Sequence, residues 1–144
     1  MLVTLDNDFG ELADFRDVTY QSDSSVEGFA SMAKAVELGP PMFKLAMQTA
    51  GLKMVMGTDA VAGAHGHNAR EIIARVQKGG QKPMDAIVSA TSLSAQSLRL
   101  DKTIGTLKAG YDADIIAVSG DPVKDITKLR DVSFVMRVGK VMKK

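Results

Sequence analysis

Between Pro40 and Gly80 the chain runs PMFKLAMQTAG, LKMVM, a Gly-rich loop and NAREIIARVQKGG, and this order constrains the fold more than any other feature. LKMVM, residues 52–56, is short, apolar and bounded by Gly51 and Gly57, which suits a buried strand. A helical period precedes it and another follows. A buried strand between two helices is the grammar of an α/β fold, in which helices cover the faces of the sheet.

The punctuation of the chain sets the expected elements. From Ser24, VEGFASMAKAVEL puts Val26, Phe29, Met32, Ala33 and Val36 at helical spacing, with Glu27 as the capping-box partner of Ser24. Gly39, Pro40 and Pro41 predict a stop and a new start, so that Phe43, Ala46, Met47 and Ala50 share a face and Gly51 takes the C-cap position. Asn68 and Glu71 form a capping-box-like pair before Ile72, Ile73 and Val76, and Pro83 is a first-turn proline. Helices are therefore expected over about 25–38, 40–50, 68–78 and 83–99, and strands over 2–5 (LVTL) and 52–56. Within 83–99, TSLSAQSLRL reads as a second short helix after PMDAIVSAT, with only Leu93, Ser97 and Leu100 on one face, which requires close packing of its small residues. The methionines of the first two expected helices read as gap-filling core residues.

After Asp101 the pattern changes to short β-rich runs separated by Lys108-Ala109-Gly110, Gly120-Asp121-Pro122 and Gly139-Lys140. IIAV is continuously apolar, as in a strand covered on both faces, and SFVMRVGKVM reads as a hairpin. The chain thus divides into an α/β segment, 1–100, and a small β-module, 101–144.

Composition excludes several functions. Lys plus Arg number 18 against 17 Asp plus Glu, dispersed along the chain, so the basic face of a nucleic-acid binder is missing. With no cysteine, disulfides, thiolate metal sites and cysteine nucleophiles are ruled out together. MLVTLDNDFGELADF has neither the basic start nor the apolar run of a signal peptide or membrane span, so a cytoplasmic protein without a membrane partner is expected. Ser89, Ser92, Ser94 and Ser97 lack a G-x-S-x-G elbow, and GDPVKD is a turn rather than a phosphate loop.

The chemistry-bearing candidates lie in KMVMGTDAVAGAHGHNARE. Asp59 follows the expected strand 52–56 by three residues, and in α/β folds ligands and metals collect at the C-terminal ends of strands. An aspartate after Gly-Thr also suits a plain turn or cap. His65 and His67, the only histidines, share a side on extended backbone and there make a zinc chelate; beside a helix start they equally suit a loop that meets substrate or solvent.

In order and approximate spacing, GLKMVMGTDA, HGHNAREI, GGQKPMDAIVSATSLSAQSLRL, IGTLKAGYDADIIAVSGDPVKDI and VSFVMRVGKV resemble the C-terminal part of metal-dependent amidohydrolases, in their imidazolonepropionase-like and prolidase-like (Xaa-Pro dipeptidase) branch. IGTLKAGYDADIIAV is the most specific of these motifs, and LVTL resembles the family's seventh barrel strand. The resemblance implies a partial TIM barrel, its last strand-helix units, followed by a module of the family's β-sandwich. It makes Asp59 the aspartate that ends the eighth strand, a ligand of zinc or another divalent metal and the acceptor of the attacking water's proton. His65, His67 and Asn68 then lie in the substrate-contacting loop.

The family's other ligands, an HxH after the first strand, a lysine on the fourth and histidines after the fifth and sixth, have no counterpart in this sequence. A whole barrel of this kind needs about 250 residues. The resemblance therefore implies a truncated or split hydrolase of C–N (amide, peptide, cyclic amide) or ester bonds, acting on a small-molecule or peptide-like substrate. Open strand edges and an uncovered apolar face imply a homo-oligomer or a complementing barrel half. The alternative is a catalytically inactive, self-associating C-terminal fragment with a structural or binding role.

Overall fold

A computed structural model describes residues 26–58 and 65–144. The expected strand 2–5 and Asp59 lie outside these residues. Four helices come first: α1 (Val26–Gln48), α2 (Ala69–Gln77), α3 (Pro83–Ala90) and α4 (Ser92–Ser97). Strand β1 (Ile115–Val118), a 3-10 helix (Ile126–Arg130), β2 (Val132–Arg137) and β3 (Lys140–Lys143) follow.

Helix α1 runs through Pro40 and Pro41 without a break, where the proline pair predicts two helices. Each proline removes a backbone donor, at a cost of about 3 kcal/mol in a helix interior. Packing offsets it: Gly39, Phe43 and Ala46, at i, i+4 and i+7, form the buried side of the helix, and Phe43 is fully enclosed. Met47 and Ala50, expected on the same face, are exposed. The buried stripe extends toward Gly39 rather than toward Gly51.

Residues 52–58 do not form the expected strand: they are joined to no β-ladder among the described residues. Met54 is nevertheless buried, and with Phe43, Ala46 and Ala74 it makes the apolar core of the helical part. Of the apolar run only Met54 is buried; Leu52 is exposed, and Val55 and Met56 are half-buried.

Over 83–99 the chain forms two helices, α3 and α4, separated at Thr91, whose backbone (φ −123, ψ −100) leaves the helical region. Pro83 occupies the first turn of α3. Ala95 on α4 is buried against Gly105, where an added Cβ would stand 2.6 Å from that of Ala95 and 3.0 Å from the Thr91 carbonyl oxygen. The sparse apolar face of α4 is thus closed by contact between small residues.

The sheet is antiparallel in the order β1-β2-β3, with Ile116 opposite Val135 and Met136 opposite Val141. Ile116 is 55% exposed, so β1 is not the doubly covered strand that IIAV suggests. Val138 and Gly139 form the two-residue link between β2 and β3, both at positive φ (47 and 75). A primed turn matches the twist of the paired strands, but positive φ strains a β-branched residue. Two hydrogen bonds hold the link: the Val138 N–H donates to Asp114 Oδ1 (2.7 Å) and the Gly139 N–H to the Ala113 carbonyl (3.1 Å). The Asp-Ala-Asp motif before β1 thereby fixes the tip of the hairpin. The 3-10 helix touches both α2 and β1, with Ile126 buried, and joins the sheet to the helices.

Candidate functional site

Residues 54–58 lead into Asp59 and are held from two sides. The Val55 carbonyl accepts a hydrogen bond from Arg75 Nη2 on α2 (3.1 Å). The Met56 N–H donates to the Ser89 carbonyl on α3 (3.0 Å). That carbonyl also accepts from the Ser94 hydroxyl on α4 (2.7 Å), and the Ser89 hydroxyl donates to the Ala86 carbonyl (2.7 Å). Two helices thus grip a segment that joins no ladder among the described residues, and α4 braces the Ser89 carbonyl that holds it.

Arg75 is fully buried, and its charge is matched by the equally buried Glu71 one turn earlier. Arg75 Nε donates to Glu71 Oε1 at 2.6 Å, and the guanidinium carbon stands 5.3 Å from the centre of the Phe43 ring. A buried charge needs both a counter-charge and hydrogen-bond acceptors, and the planar guanidinium engages Glu71, Val55 and an aromatic face together. Gly79 closes the arrangement. An added Cβ there would lie 2.6 Å from both the Phe43 ring and the Arg75 carbonyl oxygen.

This corrects the part given to Asn68 and Glu71. Asn68 has helical angles (φ −58, ψ −25) and makes no side-chain cap; the His67 and Asn68 carbonyls instead accept the N–H groups of Arg70 (2.9 Å) and Glu71 (3.3 Å). The Glu71 carboxylate serves Arg75. Neither Arg75 nor Ser89 stands out as functional in the sequence. The Glu71–Arg75 spacing, i to i+4 beside Ile72, Ile73 and Val76, was the available signal, but such pairs are usually solvated.

His65, His67 and Asn68 form an exposed turn at the start of α2. The structure brings these three together and leaves them accessible. Carboxylate and imidazole donors suit zinc. Among the described residues, however, no three His, Asp or Glu side chains gather into a group able to hold a metal ion. The described part of the chain is therefore not a metal cage by itself. No described helix is long and apolar enough to cross a membrane.

Comparison with known proteins agrees with this architecture. The Amidohydrolase family profile matches residues 17–144. Ochratoxinase from Aspergillus niger is 35% identical over 98 residues, covering 65% of this chain and 20% of that enzyme. The crystal structure of a Xaa-Pro dipeptidase with methionine bound in its active site superimposes with a TM-score of 0.70 at 36% identity, over 78% of this chain and 28% of the dipeptidase. A further amidohydrolase structure gives a TM-score of 0.80 at 26% identity, over all of this chain and 33% of its own. The chain spans a third or less of the length of each of these relatives. With a family match extending over most of its length, the chain belongs to the amidohydrolase family.

Proposed function

We propose that these residues form one wall of the active site of a hydrolase that cleaves C–N (amide, peptide or cyclic amide) or ester bonds by attack of water. The observation that carries this reading is the family match over residues 17–144. The likeness to a Xaa-Pro dipeptidase and to ochratoxinase supports a small-molecule or peptide-like substrate. The helical part then corresponds to the last strand-helix units of a barrel, and the sheet to part of the accompanying sandwich.

Asp59 is the carboxylate that accepts the proton of the attacking water and contributes one oxygen ligand to a divalent cation, zinc by preference. When bound, such a cation acidifies water and polarises the scissile carbonyl. The remaining ligands would come from outside this sequence, in which the family's other ligands have no counterpart. His65, His67 and Asn68, accessible beside the start of α2, contact the substrate. The pinned backbone of Val55 and Met56 gives the approach to Asp59 a fixed course.

Hydrolysis of a dipeptide, amide and ester panel, with bound metal measured by elemental analysis, tests this reading. Loss of a general base costs about 100-fold or more in rate, so Asp59→Asn should fall by at least that factor and retain less metal. Equal activity in Asp59→Asn and wild type would remove Asp59 from the mechanism.

The reading also gives the exposed stripe Leu38, Met42 and Leu45 on α1 a covering partner, a second copy of the chain or a complementing barrel half. Sedimentation velocity of the purified chain should show an assembly larger than one chain; a monomer at all concentrations, without added partner, refutes self-association.

A further inference from the structure

The β2–β3 hairpin is held in a pairing that its own turn does not favour. Val138 and Gly139 occupy the two central positions, and both have positive φ (47 and 75). Asn, Asp and Gly suit the first of these positions, whereas a β-branched residue is strained there. The pairing also sets Arg137 directly opposite Lys140, and like charges so placed repel. Neither cation pairs with an acidic side chain among the described residues. A further irregularity follows: Met136 faces Val141 but Val135 faces Lys143, so the ladder carries a bulge at Met142.

Moving the turn by one position removes each of these penalties. With Gly139 and Lys140 at its centre the loop becomes a type II′ turn, which asks for Gly at the first central position and leaves the second at ordinary negative φ. Val138 then joins the strand opposite Val141, Arg137 meets Met142 instead of Lys140, and Met136 meets Lys143, so that β3 slides by about two residues along β2. Lys143 leaves Val135 for Met136 and passes to the other face of the sheet, because neighbouring positions of a strand point to opposite faces. What opposes the slip lies mainly outside the hairpin. Asp114, 24 positions before Val138, accepts the Val138 N–H at Oδ1 (2.7 Å), and the Ala113 carbonyl accepts the Gly139 N–H (3.1 Å). In the slipped pairing the Val138 N–H turns to Val141, so its bond to Asp114 and that register exclude each other. At the far end Lys143 Nζ donates to the Val132 carbonyl (2.6 Å), an exposed contact of a flexible side chain.

We propose that the β2–β3 hairpin is a two-register element and that Asp114 selects its register: by taking the Val138 N–H, the carboxylate imposes the strained pairing on a sequence that locally prefers the slipped one. The position of the last strand, and the face to which Lys143 belongs, are decided by a residue on the lead-in to β1. This device is independent of the hydrolytic reading.

Cross-strand nuclear Overhauser contacts in the full chain read the register directly: Arg137 with Lys140 for the observed pairing, Arg137 with Met142 for the slipped one. Wild type should give the first alone. Asp114→Ala removes the acceptor and should exchange the first contact for the second, whereas Asp114→Asn keeps an acceptor oxygen and should keep the first. The contact of Ile115 with Met136, which neither register alters, reports whether the sheet is folded. Adding Val138→Asn to Asp114→Ala supplies a favoured Asn-Gly turn and should bring the first contact back. Retention of the Arg137–Lys140 contact in Asp114→Ala overturns the proposal, as does a β3 left unpaired while Ile115 still meets Met136. Should Asp114→Ala lose the Ile115 contact as well, the double variant decides: return of the observed pairing supports the proposal, and its failure to return overturns it.

Discussion

Around α2, Glu71, Arg75 and Ser89 are buried polar residues and Phe43 is wholly enclosed between them and the core. In the sheet, no strand residue is buried at all, and Ile116, Val141 and Met142 lie open. The helical part is held by a few desolvated contacts between residues distant in sequence. The sheet is held by its ladder and by turns, the tip of its hairpin fastened to Asp114. A substitution near α2 is therefore felt across three helices, whereas one in the sheet stays close to its own turn.

The largest effect should come from breaking the charge pair on one side only. Arg75→Ala removes the 2.6 Å ion pair from Glu71 and the cation from Phe43, and should cost about 3–5 kcal/mol in a urea unfolding experiment. A loss below 1 kcal/mol would mean that water or another group reaches Glu71, and the contrast between the two regions would weaken.

A gain is expected in the sheet. Val138 stands at φ 47, which costs a residue with a Cβ about 1–2 kcal/mol. Asn tolerates that angle and forms the favoured Asn-Gly pair with Gly139. Val138→Asn should stabilise the hairpin by about 1 kcal/mol, seen as slower amide exchange in β2 and β3, with no change around α2. Spread of that gain to Met56 would show that the two regions are more tightly coupled than their contacts indicate.

The smallest effect concerns acid. The Thr127 hydroxyl (2.6 Å) and then the Thr127 N–H (3.0 Å) donate to Asp125 Oδ1, and these bonds, with the nearby Lys128 charge, hold the carboxyl below its ordinary range. A carboxyl depressed in the folded state contributes stability that is complete above its unfolded pKa and is lost as pH falls through the folded value. The 3-10 helix should loosen only in acid, below the ordinary carboxylate range, while the ladder of β1 and β2 persists. An NMR titration of the Thr127 amide checks this; loosening near neutral pH would contradict it.

Particular residues show what the sequence made legible. Gly79, Gly80 and Pro83 mark the ends and starts of helices because their effects are local. Pro40 and Pro41 misled for the same reason: their local cost is real, but burial of Gly39, Phe43 and Ala46 on one side outweighs it. LKMVM announced burial through Met54, whereas its backbone partners, Arg75 and Ser89, are a guanidinium and a helix carbonyl that no periodicity encodes. Glu71 was visible as an acid in the first turn of a helix. Only its full burial and the 2.6 Å bond from Arg75 Nε show that it is desolvated and turned toward Arg75. Asp59, His65 and His67, proposed for the site, were named from chemical type, while the residues that hold Val55 and Met56 were not, since such contacts depend on distance alone.

The two clamps on residues 55 and 56 also fix an order of events during synthesis. Both come from later in the chain, Arg75 first and Ser89 after it. As the polypeptide emerges, the stretch before Asp59 is made early, but the Val55 carbonyl gains its Arg75 bond only once α2 has formed and the Met56 N–H its Ser89 bond only once α3 is complete. Residues 55 and 56 are thus fastened in two steps, and a ribosome paused between Arg75 and Ser89 would expose a segment held at Val55 but not yet at Met56.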